Sequence, residues 1–379
     1  MALHTIPITM WDFSWIERRW SGAGFEDWDQ ALKELKERGY EAVRIDAFPH
    51  LIAKDKDKEW LLLPVWYSND WGSPYLNRIS LYPAFPQFVA KCREYGIKVA
   101  LSTWYREDEE NIRMEITCPE KMAENWIAVL RLLQAEGLLD SILYVDLCNE
   151  WPGDLWAPYF QNHPRDAGWG TWYTETSMEY MQEAVRCVRE AFPEIPLCFS
   201  FDNACLRYYY QHRLDFMDLI EHHIWMAKLN DGEFYQEVGN AKDGRYTEEA
   251  YHLLVHNAFR CYEERPEYWK KLLQNGVRDL AAASAAQGLP LATTECWGIV
   301  DYKDYPMLPW DWVKDLCSLG VKTALETNRW ILAGTSNFAA PQFTGMWRDV
   351  AWHKQLTDEM RKEVLPDSLV NDRLRARLK

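Results

Sequence analysis

Two glutamates carry the chemistry that this sequence suggests: Glu150 in VDLCNEWP and Glu295 in ATTECWG. Each follows a short apolar run and stands among small or polar residues, the pattern of a buried β-strand reaching its carboxyl end. Two carboxyl groups facing one gap can cleave a glycosidic bond. One protonates the departing oxygen, and in retaining enzymes the other attacks the anomeric carbon from a partner position about 5 to 5.5 Å away.

Residues so far apart in sequence meet only if the fold brings strand ends together. A repeated grammar supplies that fold: a helical stretch, a glycine that caps it, then a β-rich run ending in polar or aromatic residues. KELKERG leads to EAVRIDAF, KCREYG to IKVALSTW, RLLQAEG to ILYVDLCNE, and SAAQG to LPLATTECW. ITMWDF near the start, PLCFSFD at 196–202, DLIEHHIW at 218–225 and ILAGTSNF at 331–338 complete eight predicted strands. Helical spacing of apolar residues predicts helices near 26–38, 83–95, 119–136, 174–191, 264–287 and 310–328. Alternating strands and helices imply a parallel sheet, and eight such units without a Gly-rich phosphate fingerprint point to a closed (β/α)8 TIM barrel. No repeat or linker divides the chain, so residues 1–379 are expected to form a single catalytic domain. Inserts at 50–80, 151–173 and 226–262 follow strand ends, where barrel enzymes build their sites, and are expected to wall a pocket. The last segment, from His353, is expected to be a helix followed by a charged tail without chemistry.

Composition narrows the ligand. With 42 basic and 58 acidic side chains the net charge is −16, which repels nucleic acid and anionic membranes. The start of the chain has no export-signal pattern and no stretch is long and apolar enough to span a bilayer, so a cytoplasmic location is expected. Nine cysteines, an odd number without a C-x-x-C pair, read as reduced thiols, and Cys148 and Cys296 are expected to pack rather than react. The 21 tryptophans and 20 tyrosines exceed what a core needs, so some are expected to meet a sugar, whose C–H face packs on an aromatic ring. Trp104, Trp151 and Trp297, just after strand ends, and Trp347, in the segment following the eighth strand, are the candidate platforms. Nothing in the sequence indicates a cofactor or an oligomeric state.

The Asn149-Glu150 pair with Pro152 after the fourth strand, and Glu295 ending the seventh, resemble glycoside hydrolase clan A, most closely its family 5 cellulase-like enzymes. The likeness runs through the whole chain in strand order and rests on about a dozen positions. It implies that Glu150 is the acid/base, that Glu295 is the nucleophile, and that Asn149 hydrogen-bonds the sugar 2-hydroxyl. Arg44 matches the arginine those enzymes place on strand two beneath the nucleophile, where its charge would hold Glu295 ionised, while a more apolar wall near Trp151 would keep Glu150 protonated. His223 and Trp225 stand where the relatives have His-x-Tyr, and Trp104 where many have histidine. Trp225 has an indole N–H but no phenol, which shifts the bonding of the nucleophile to another group. The tryptophan usual at the end of strand eight is missing there, which makes Phe338 or Trp347 its substitute.

These residues imply a retaining β-glycosidase acting on an oligosaccharide or small glycoside, with the long inserts favouring an exo-acting pocket. Two other classes fit parts of the pattern. A metal-dependent sugar isomerase or epimerase would use Asp46, Glu150, His223 and Glu295 as cation ligands. A non-catalytic carbohydrate-binding barrel would use the aromatic residues alone.

Overall fold

Eight parallel strands follow one another around a ring in a computed structural model that describes residues 2–64, 76–153, 170–202, 206–240, 247–302 and 308–379. They are β1 (Ile6–Thr9), β2 (Ala42–Asp46), β3 (Lys98–Ser102), β4 (Ile142–Asp146), β5 (Leu197–Cys198 with Ser200–Phe201), β6 (Ile220–His222 with Ile224–Trp225), β7 (Leu291–Thr293 with Cys296–Trp297) and β8 (Trp330–Gly334). β1 pairs with both β2 and β8, and the remaining neighbours pair in sequence order. The ring closes at β5, where Leu197–Cys198 bonds to β4 and Ser200–Phe201 bonds to β6. The expected (β/α)8 barrel is therefore the fold.

The strands are short because the barrel holds each residue on both sides. β2, β4 and β8 are buried at all five positions, so apolar content rather than alternation marks them. Helices Trp28–Glu37, Ala84–Glu94, Pro119–Ala135, Glu175–Ala191, Pro266–Gln287 and Asp311–Glu326 lie close to their predicted bounds. Their starts are fixed by local chemistry. Asp27 and Thr174 each accept the backbone N–H three residues on, satisfying a donor that the helix cannot. Gly39 follows its helix at φ +85°, a left-handed cap that a side chain would strain, and a Cβ there would collide with Thr357.

Between β5 and β6 the described residues contain only the 3₁₀ turn Leu206–Tyr210. The 50–80 insert contains the helix Pro49–Asp55 and a hairpin of Glu59–Leu62 with Asn77–Ser80. The 226–262 insert contains helices Leu229–Val238 and Glu248–Glu264, whereas most of the 151–173 insert lies outside the described residues. The final segment carries the expected helix and, in its charged tail, a second one. It forms helices Val350–Lys362 and Asp372–Leu378, and Asn371 and Arg373 both donate to buried Asp218 while Arg377 donates to the Leu139 carbonyl. Pairing with a buried carboxylate fixes a segment that charge alone would leave in solvent.

Candidate active site

Arg44, on β2, organises the mouth of the barrel. Its side chain is fully buried and donates through Nε and Nη2 to the two carboxylate oxygens of Asp12, each at 2.7 Å. Nη2 also donates to Glu295 Oε1 at 2.6 Å, and Nη1 to Thr294 Oγ1 at 2.6 Å. A buried guanidinium needs such compensation, because its desolvation is recovered only when charge and hydrogen bonds are both matched. Asp12 is braced in turn by the Trp104 indole N–H at 2.5 Å. Asp12 stands just after β1 in TMWDF, a strand-end acid of the kind that flagged the two glutamates, although its role depends on a partner from another strand.

His223, in the break of β6, joins the two carboxylates. Its Nδ1 lies 2.9 Å from Glu150 Oε1 and 3.6 Å from Glu295 Oε1, and its Nε2 lies 3.0 Å from Arg44 Nη1 and 3.6 Å from Glu221 Oε1. Burial opposes a charged ring, while the carboxyl groups of Glu295, Glu150 and Glu221 around it favour one. A charged ring would nevertheless turn an Nε2–H against the Arg44 guanidinium. Arginine can only donate, so the 3.0 Å contact is a hydrogen bond only when Nε2 accepts. We assign the neutral ring with its proton on Nδ1, donated to Glu150. Glu221 is held separately, accepting from Tyr144 Oη at 2.9 Å and from Thr294 Oγ1 at 2.6 Å.

Glu150 follows β4 in a left-handed conformation, φ +50°, which a non-glycine residue occupies only when its surroundings enforce it. The enforcing contact comes from β5. Ser200 Oγ accepts the Glu150 N–H at 2.9 Å, while Asp146 accepts from both the Ser200 N–H and its hydroxyl at 2.8 Å. Neither Ser200 nor Asp146 carries a sequence signal beyond its place at a strand end.

One oxygen from each of Glu150 and Glu295 and one nitrogen of His223 lie within 4.8 Å of one another. The fold therefore brings Arg44, Asn149, Glu150, His223 and Glu295 to one end of the barrel. Asn149 is buried beside Glu150, with its N–H donating to the Thr103 carbonyl. Burial is the dominant influence on Glu295, and it raises the carboxyl to about 7 although Arg44 pulls it down. The expectation that Arg44 keeps this group fully ionised is corrected to that extent: the cation is present, but desolvation outweighs it.

The aromatic candidates are mostly committed to packing. Trp151 donates to Ser177 and stacks on Tyr180, Trp297 donates to the Gly334 carbonyl, and Phe338 lies against Trp310 and Phe343. Trp104 is buried as the brace of Asp12. Trp347 lies apart from the carboxylates, between Arg38, Glu34 and Tyr40, where Arg38 covers its ring at 4.1 Å. Trp225 is fully buried, edge-on to His223 at 5.7 Å, and its indole N–H has no hydrogen-bond partner among the described residues. Asp46, a ligand in the isomerase alternative, is turned to the backbone, accepting from the Phe48 and Trp104 N–H groups, and is not among the converging atoms.

A closed (β/α)8 barrel with two strand-end carboxylates around an arginine and a histidine is the architecture of glycoside hydrolases that work through a carboxyl pair. The chain belongs to the sugar-binding cellulase-like family, whose model matches residues 8–361. A crystal structure from Parabacteroides distasonis is 51% identical, covers 99% of both chains and superposes with a TM-score of 0.95; its assignment as a glycoside hydrolase is itself provisional. A family 5 mannosidase from Rhizomucor miehei shares the fold at 11% identity, with a TM-score of 0.53 over 96% of this chain and 95% of that one. The cellulose synthase subunit Z of Clostridioides difficile does so at 12% identity and a TM-score of 0.53, over 97% and 100% of the two chains. No curated protein matches the sequence. Among the described residues no helix is long and apolar enough to cross a membrane.

Proposed function

We propose that the protein is a retaining β-glycosidase that removes a sugar from an oligosaccharide or small glycoside by double displacement, with residues 1–379 acting as one catalytic domain. The observation that carries this reading is the convergence of Glu150, His223 and Glu295 within 4.8 Å, a separation that suits direct attack on carbon and leaves little room for an intervening water. Glu295, oriented by Arg44, attacks the anomeric carbon while Glu150 passes its proton to the leaving oxygen. The glycosyl ester on Glu295 is then hydrolysed by a water that Glu150 deprotonates, which restores both groups. Asn149 is placed next to Glu150 to bond the 2-hydroxyl, and the inserts after β2 and β6 favour an end-on pocket. Eight free cysteines among the described residues suit a reducing compartment, and we place the enzyme in the cytoplasm on that basis.

Aryl β-glycosides and short oligosaccharides should reveal the substrate, and NMR of the first-formed product should show a retained anomeric configuration. An inverted product would overturn the mechanism. Glu295→Gln should abolish turnover while leaving the fold intact; wild-type rates in that variant would refute the role of Glu295.

The converging trio could also hold a cation, as a metal-dependent isomerase requires. Arg44 argues against this use, because its guanidinium occupies Glu295 Oε1 at 2.6 Å and would repel a dication. Activity that survives a strong chelator is expected, and loss on chelation would favour the metal reading instead.

A further inference from the structure

Beside the catalytic carboxylates the mouth holds a second pair of opposite charges that the steps above do not use. Asp202 is the residue after β5, and Lys228 ends the 3₁₀ turn Met226–Lys228 that follows β6. Lys228 Nζ donates to Asp202 Oδ2 at 3.1 Å and lies over the Trp225 ring at 4.2 Å. Trp225 is the ring set edge-on to His223, so the pair stands one side chain away from the group that bonds Glu150. Their side chains are 14% and 13% exposed, reachable from solvent but largely enclosed. Burial alone would favour a protonated Asp202, yet the Lys228 ammonium keeps its carboxyl below the usual range.

Three features give this pair the means to hold a ligand. Asp202 Oδ1 takes no hydrogen bond among the described residues, so an acceptor remains available. The Trp225 N–H, buried without a partner among the described residues, is a donor whose desolvation they leave uncompensated. A carboxylate and an ammonium side by side can together take neighbouring hydroxyls of a pyranose, one accepting and the other donating, with the strength of charge-assisted bonds. The side of the site is also set. Asp202 lies two residues beyond Ser200, whose Oγ accepts the Glu150 N–H and whose carbonyl accepts the Trp151 N–H, so it stands on the flank of Glu150, the group that protonates the departing oxygen, and Lys228 reaches it from β6.

We propose that Asp202 and Lys228, with the Trp225 indole, form the subsite for the sugar on the leaving-group side, and so select a saccharide over a non-sugar aglycone. This rests on the glycosidase reading, and the test separates the two. Binding of β-linked disaccharides of glucose, mannose and xylose would be measured by calorimetry on Glu295→Gln, alone and combined with Asp202→Asn or Lys228→Met. Turnover of the same disaccharides and of matching aryl glycosides would be measured with Glu295 intact.

Each change should weaken the best-bound disaccharide about tenfold or more, and should lower the ratio of kcat/KM on disaccharide to that on aryl glycoside by a similar factor. An equal loss on both substrates would mean that the pair only supports the fold and would overturn the proposal. So would disaccharide binding within twofold of the parent, or no disaccharide binding by the parent at all. If the enzyme with Glu295 intact cleaves no glycoside while Asp202→Asn still weakens disaccharide binding, the catalytic reading falls and the subsite stands.

Discussion

The two carboxylates proposed for catalysis are held in opposite ways. Glu295 is locked by side-chain charge: Arg44 bonds it directly, Asp12 holds Arg44 through two oxygens, and Trp104 holds Asp12. Glu150 is placed by its backbone, in a left-handed conformation pinned by Ser200, and its carboxyl meets the protein through the His223 ring. The difference fits the two tasks. An attacking group gains from a fixed direction, whereas a proton donor and acceptor must change its charge twice in each cycle without disturbing its neighbours.

The sharpest test of this contrast is the leaving group. Glu295→Ala should lose on the order of 10⁴-fold in kcat on every substrate, because no covalent intermediate forms without it. Glu150→Ala should lose comparably on a disaccharide and far less in the glycosylation step of a dinitrophenyl glycoside, whose leaving group departs without a proton. Equal losses for Glu150→Ala on both substrates, read from the burst phase, would mean that Glu150 is not the acid.

Removing Arg44 should damage the charged half throughout. Arg44→Met leaves Asp12 and Glu295 buried without their cation, at a cost of about 3–5 kcal/mol in unfolding free energy. Denaturant titration would measure that loss, and unchanged stability would show that the network is not the brace described. In the wild type kcat/KM should fall as pH drops through about 7, because Glu295 is raised to that value by burial and its protonated form cannot attack. Arg44→Met removes a charge that favours the ionised form, so in any surviving activity this limb should move to higher pH. A limb that stays near pH 4 in the wild type would contradict the burial of the nucleophile.

The smallest effect is expected on the other half. Ser200→Ala deletes the acceptor for the Glu150 N–H and should lower kcat about tenfold while costing only about 1–3 kcal/mol of stability. An unchanged kcat would show that the left-handed turn holds itself.

What could be read in advance follows the same division. Glu150 and Glu295 were legible as acids at the ends of apolar runs, and Arg44 through its match to the arginine of the resembled family. Asp12, Glu221 and Ser200 were not, since their roles arise from contacts across the ring, between strands whose register no local pattern specifies. The aromatic residues misled for a related reason: abundance says that many rings exist, but Trp151 and Trp297 spend their N–H groups on Ser177 and Gly334 inside the wall. The ordering of the final segment also escaped composition, because Asp218, which anchors Asn371 and Arg373, lies far away in sequence.

The interruption at Phe199 gives the barrel a seam. β5 is split there into two dipeptides, each bonded to both neighbouring strands, and the residue between them turns its N–H to the Met217 sulfur. Amide exchange at Phe199 should be faster than at its neighbours in the strand, because a sulfur stands in for a carbonyl acceptor. Ser200 follows directly and accepts the Glu150 N–H, so a local opening there would briefly release the turn that aims this carboxyl group.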